Sequence, residues 1–108
     1  MDDNELPIID AHHHFWDLSL GRHPWLRPDV LIPFRYGDYS AIKKNFMPED
    51  YRAVTGHHRV VASVTMEGEW EEDDPVEETR WMMEIVAKHG TPAAHVARAF
   101  LHRDDVEE

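Results

Sequence analysis

The sequence contains no cysteine. Disulfides and thiolate-bound metals are therefore excluded, and any metal must be held by His, Asp or Glu. Positive charge is scarce, with 11 Lys and Arg against 22 Asp and Glu and a formal charge of -11. That balance repels a phosphate backbone, and no basic stripe interrupts it, so nucleic-acid binding is not expected. Long apolar runs are also missing. The acidic start Met1-Asp2-Asp3-Asn4-Glu5 cannot serve as the basic head of a secretory signal. Nothing approaches a membrane span, and a cytoplasmic protein with no membrane partner is the expectation. Repeats, a Gly-rich phosphate loop, a serine-nucleophile elbow and a paired-carboxylate motif are all absent, which leaves nucleotide binding and serine-type hydrolysis without support.

What is present suits one globular domain: 108 residues, 42% of them hydrophobic. The first expected strand is Pro7 to Phe15, with Ile8 and Ile9 opening an extended run and Pro7 at its edge. About forty residues of weak periodicity follow, rich in proline and aromatics, which predicts a packed lid or binding loop. A short helix is expected from Pro48, with Glu49 and Asp50 in its first turn and Gly56 past its end. Arg59 to Glu67 is β-rich and only weakly alternating, as in a strand of a parallel sheet buried on both faces. Asp73 or Asp74 then caps a helix that starts at Pro75 and closes at Gly90. Its apolar face is assigned to Val76, Met83, Val86 and Ala87, and its polar face to Glu77, Arg80, Glu84 and Lys88. Ala93 to Phe100 is a third strand, and Asp104 or Asp105 caps a further helix with Glu107 and Glu108 in its first turn. Alternation of this kind implies an α/β fold with a parallel sheet and right-handed crossovers. A terminus one turn into a helix suggests truncation.

Two residues apart on a strand, His12 and His14 project to one face, and Asp10 falls on the same face. That spacing lets two imidazoles grip one metal ion, while His13 points away. The pair sits at the carboxyl end of the first strand, where parallel α/β sheets place their sites. Histidines clustered at a partly exposed strand end would give the same spacing. Glu67 ends the second strand at the same mouth, as a substrate or metal contact or as the start of a solvated acidic stretch. That stretch, Glu69 to Asp74, lacks calcium-loop spacing and reads as a solvated helix entrance. Trp16, Trp25, Arg35 and Tyr36 form a pocket wall or pin the loop, and Arg35 suits a substrate carboxylate. His57, His58, His89, His95 and His102 read as structural, and Trp70 and Trp81 as packing residues.

The run Ile9-Asp10-Ala11-His12-His13-His14-Phe15-Trp16-Asp17 resembles the opening strand of the amidohydrolase-related superfamily, whose signature is Asp-x-His-x-His. Pro24-Trp25-Leu26, Arg35 to Tyr39, Met47 to Tyr51 and Asp74 to Trp81 resemble its lactonase-like branch, which includes sugar-lactone and pyrone-dicarboxylate hydrolases. The likeness runs over nearly the whole chain. It implies a distorted (β/α)8 TIM-type barrel of about 250 residues, of which residues 1–108 form a single truncated domain of about three strands. It also implies His12 and His14 as ligands of a divalent metal, zinc before others. In members without a metal, the same histidines would bind the substrate oxygen. The remaining ligands and the catalytic base are then expected beyond residue 108. The implied substrate is a lactone or cyclic carboxylate, contacted by Trp16, Trp25, Arg35, Tyr36 and Glu67. The alternative is a catalytically inactive α/β remnant that assembles with a complementing chain or its own copy through an open sheet edge. A cupin-type metal barrel would need many short alternating strands and a glutamate soon after the histidines, and the sequence has neither.

Overall fold

The computed structural model describes residues 5–32, 37–71 and 73–106. Strands β1 (Pro7–His13), β2 (Arg59–Met66) and β3 (Ala94–Val96) alternate with helices α1 (Pro48–Thr55) and α2 (Pro75–His89). Short 3-10 turns at Leu18–Leu20, Pro24–Leu26 and Ser40–Ile42 punctuate the long segment after β1. The sheet order is β1-β2-β3, and both pairs are parallel. Parallel neighbours need crossovers, supplied here by the long segment with α1 and then by α2.

Local chemistry fixes the helix ends where expected. The Asp74 side chain accepts from the Val76 amide, Pro75 occupies the first helical position, and Gly90 closes α2 at φ 75° with its N–H on the Val86 carbonyl. The buried face of α2 is not the expected one. Met82 is 1% exposed and Ile85 and Glu78 are buried with it, whereas Val76 and Met83 are exposed, Met83 by 57%. Residues 78, 82 and 85 form a proper i, i+4, i+7 stripe, but a carboxylate begins it, so hydrophobicity alone picks the neighbouring face. The core joins Phe15, Tyr51, Met82 and Ile85, with Phe46, Met47, Val60 and Trp81 packed against them. It lies between the helices and one face of the sheet. On the opposite face, Ile9 and Val96 are 66% and 48% exposed. The Cα radius of gyration is 15.6 Å, above the roughly 13 Å of a fully compact domain this size.

Two strand expectations and one helix expectation need correction. β1 stops at His13, because Phe15 turns into the core, and its register against β2 breaks between Ile8 and Ile9 and again between Asp10 and His13. β3 spans three residues rather than eight, in keeping with the weak β preference of alanine. Residues 101–106 form turns, not a helix entrance, and Glu107 and Glu108 lie outside the described residues. No helix among the described residues is long and apolar enough to cross a membrane.

Candidate functional site

His12 and His14 come together: their ring centroids are 5.3 Å apart, edge to face. His14 stands just past the end of β1, and its Nδ1 lies 3.1 Å from the Met66 carbonyl at the end of β2. A carbonyl only accepts, so Nδ1 carries the hydrogen and the Nε2 lone pair is left for a ligand. His13 faces the other way, stacked 4.3 Å on Tyr51 and edge-on to Phe15. Burial holds its imidazole below the ordinary value, and both its ring nitrogens lack a hydrogen-bond partner among the described residues. That is a neutral packing residue.

Asp10 does not share the face of His12 and His14. The bulge between Asp10 and His13 turns its carboxylate onto the Tyr51 hydroxyl, which donates to Oδ2 at 2.7 Å. Its Oδ1 accepts the His12 amide at 3.2 Å. Burial pushes the Asp10 carboxyl up, but the bonds from Tyr51 and His12 outweigh it and leave it below the usual range. Burial, with Asp10 as acceptor, raises the Tyr51 phenol. Asp10 therefore orients the backbone that presents His12.

Aromatic rings wall one side of the pair. Trp16 stacks on His14 at 6.0 Å, and Trp25 meets Trp16 edge-on at 5.4 Å. Each indole is anchored, Trp16 Nε1 to the Lys44 carbonyl at 2.8 Å and Trp25 Nε1 to the Gly68 carbonyl at 2.7 Å. Trp25 also lines a cavity of about 320 Å³ with Val30, Ile32, Glu69, Trp70 and Arg98. Arg35 and Tyr36, the other expected wall residues, lie outside the described residues. Glu67 follows β2 directly, but its carboxylate is turned onto the Glu69 amide at 2.8 Å.

Several residues missed in the sequence belong to this end of the sheet. His95 of β3 pairs through Nδ1 with the Thr65 hydroxyl at 2.9 Å. Burial first, with a smaller contribution from His14, holds it below its ordinary value, while Glu78 and Glu67 act in the opposite sense. Glu78, in the first turn of α2, is buried and receives the Gly68 amide and His23 Nε2. The acidic stretch stays solvated, with the Asp73 side chain 67% exposed, and carries surface ion pairs: Arg22 with Asp73 at 3.0 Å, Arg27 with Glu71, and Arg80 with Asp74. Only the stripe of residues 78, 82 and 85 carried a sequence signal for any of these. The arrangement thus offers two nitrogen ligands beside an apolar wall, and no group of three or more potential ligands is assembled among the described residues. Catalytic zinc ordinarily takes three protein ligands and water.

No family model matches the chain. An uncharacterized protein of Sinorhizobium fredii, y4mH, is 35% identical over 103 residues, covering 95% of this chain and 34% of that protein. Among solved structures, an amidohydrolase from Burkholderia multivorans with bound zinc superposes with a TM-score of 0.63 at 18% identity, over 92% of this chain and 30% of that one. The chain thus spans about a third of the length of the proteins it matches. The structural likeness extends through the parallel strands and both helices, and what the two proteins share is an α/β fold.

Proposed function

We propose that this chain supplies the first-strand part of a metal-dependent hydrolase site of the amidohydrolase type, completed as a (β/α)8 barrel, which opens a lactone or similar cyclic ester. The observation that carries this is the pairing of His12 and His14 at the carboxyl end of β1, with the Nε2 lone pair of His14 available. The donor set fits a zinc-type ion. Neutral imidazoles are its common ligands, and the Met66 carbonyl on Nδ1 fixes the tautomer as outer-shell acceptors do in metal sites. The zinc in the Burkholderia amidohydrolase supports the same choice. When bound, such a metal supplies a water of lowered pKa and polarises the ester carbonyl. His12 and His14 would hold it. Asp10 and Tyr51 orient the strand segment that carries His12, and Trp16 and Trp25 shield one side of the site from water and give a flat ring an apolar wall. The further ligands and the base would come from a polypeptide of the relatives' length, of which this chain spans about a third.

The bare sheet face with exposed Ile9 and Val96 supports a second reading, in which the chain is an assembly module without turnover. Metal content and ester hydrolysis of the natively expressed protein separate the two. His12→Ala and His14→Ala should each weaken zinc binding beyond the roughly 10–100-fold typical of an outer-shell loss and abolish lactone opening. Zinc uptake unchanged by both substitutions, or a zinc-loaded protein inert toward a lactone panel, would remove the hydrolase reading.

A further inference from the structure

We propose that Glu78 is a positioning residue of the site, gripping from behind the sheet both segments that hold Trp25 against Trp16 and His14. The inference rests on the His12–His14 site proposed above. Glu78 is 2% exposed and His23 3%, so polar groups here are tolerable only if they are well bonded. The Gly68 amide donates to both oxygens, at 3.2 Å to Oε1 and 3.0 Å to Oε2, and His23 Nε2 lies 3.1 Å from Oε2. Position 68 is tightly enclosed: a Cβ there would stand 3.1 Å from His23 Nε2 and 3.3 Å from Glu78 Oε2, so one of them would have to give by a few tenths of an ångström.

Both partners of this carboxylate lead to one indole. His23 immediately precedes the 3-10 turn Pro24–Leu26 that carries Trp25, and the Gly68 carbonyl is the acceptor for Trp25 Nε1 at 2.7 Å. Trp25 is thereby fixed by its backbone and by its tip, through two routes that meet at Glu78. From there the contacts continue to Trp16, edge-on at 5.4 Å, and from Trp16 to His14, stacked at 6.0 Å. Glu78 touches neither histidine of the site and acts through the wall. A carboxylate placed only for stability would not need to join these two segments.

Glu78→Gln tests this in the full chain, because it keeps the shape but turns an NH2 group toward one of two donors, Gly68 N–H or His23 Nε2–H. In nitrogen-15 spectra the Trp25 indole N–H should then exchange about tenfold faster or more, the loss of roughly one hydrogen bond. The Trp16 indole and His14 ring signals should shift, while β2 amides stay protected. Trp25→Phe, which leaves Glu78 intact, should produce the same Trp16 and His14 shifts, and the double variant should add nothing to them. Undisturbed Trp25 exchange in Glu78→Gln, or shifts that simply add, would overturn the proposal. Should Glu78→Gln fail to fold, Gly68→Ala decides: its Cβ must displace His23 or Glu78, and unchanged Trp16 and His14 signals would overturn it as well. These readouts need neither metal nor substrate, so a failure of the hydrolase assignment appears separately, as absent zinc uptake and turnover.

Discussion

At the scale of single residues, three neighbouring imidazoles have three fates set by their surroundings. His12 is exposed, His14 gives Nδ1 to a carbonyl, and His13 is packed against Tyr51 with no polar partner among the described residues. Alternation along the strand separates His13 from the other two, and the sequence displays that directly. The same alternation misplaces Asp10, because a bulge intervenes and no residue between Asp10 and His13 announces it. His95 makes a titration prediction. Its folded pKa lies below the ordinary 6.5, chiefly through burial. A base with a lowered folded pKa is neutral in the native state and binds its proton more readily when unfolded. Stability is therefore complete above pH 6.5 and falls as the pH drops below it, until the folded value is passed. His95→Gln should make the slope of unfolding free energy against pH shallower below pH 6.5, measured by urea titration at successive pH values. An unchanged slope would show that His95 is not buried as a neutral ring.

At the scale of elements, the helices follow local rules and their packing does not. Asp74, Pro75 and Gly90 bound α2 by capping chemistry confined to a few residues at each end, so its limits are readable from the sequence. Which side faces the sheet depends on partners far along the chain. The burial of Glu78 carries residues 82 and 85 inward and leaves Val76 and Met83 outside. Met82→Ala should consequently cost about 2–5 kcal/mol, as for a buried large-to-small change. Met83→Ala, one position along, should stay within about 0.5 kcal/mol. Chemical denaturation of the two variants checks the assignment, and equal losses would contradict the observed face.

At the scale of the whole molecule, three parallel strands with helices on one side leave a second sheet face unpacked. Parallel sheets are normally covered on both faces. Residues 1–108 on their own should therefore self-associate or bind hydrophobic dyes, and Ile9→Lys, on the bare face, should reduce both. Sedimentation velocity across a concentration series is the measurement. A strictly monomeric species that binds no dye would mean that this face is satisfied in some way the arrangement of Ile9 and Val96 does not reveal.

The sequence by itself determined the order of the three strands and two helices, the limits of both helices and the pairing of His12 with His14, because each depends on residues a few positions apart. It also limited the chemistry to imidazole and carboxylate ligands by omitting cysteine. Only the tertiary structure decided which groups meet across long stretches of chain. Tyr51 meets Asp10 across 41 positions, Met66 meets His14 across 52, and Glu78 meets His23 across 55. Such meetings depend on strand register, a bulge and the rotation of a helix. These are settled by packing the whole core at once, and no local pattern of residue types encodes them.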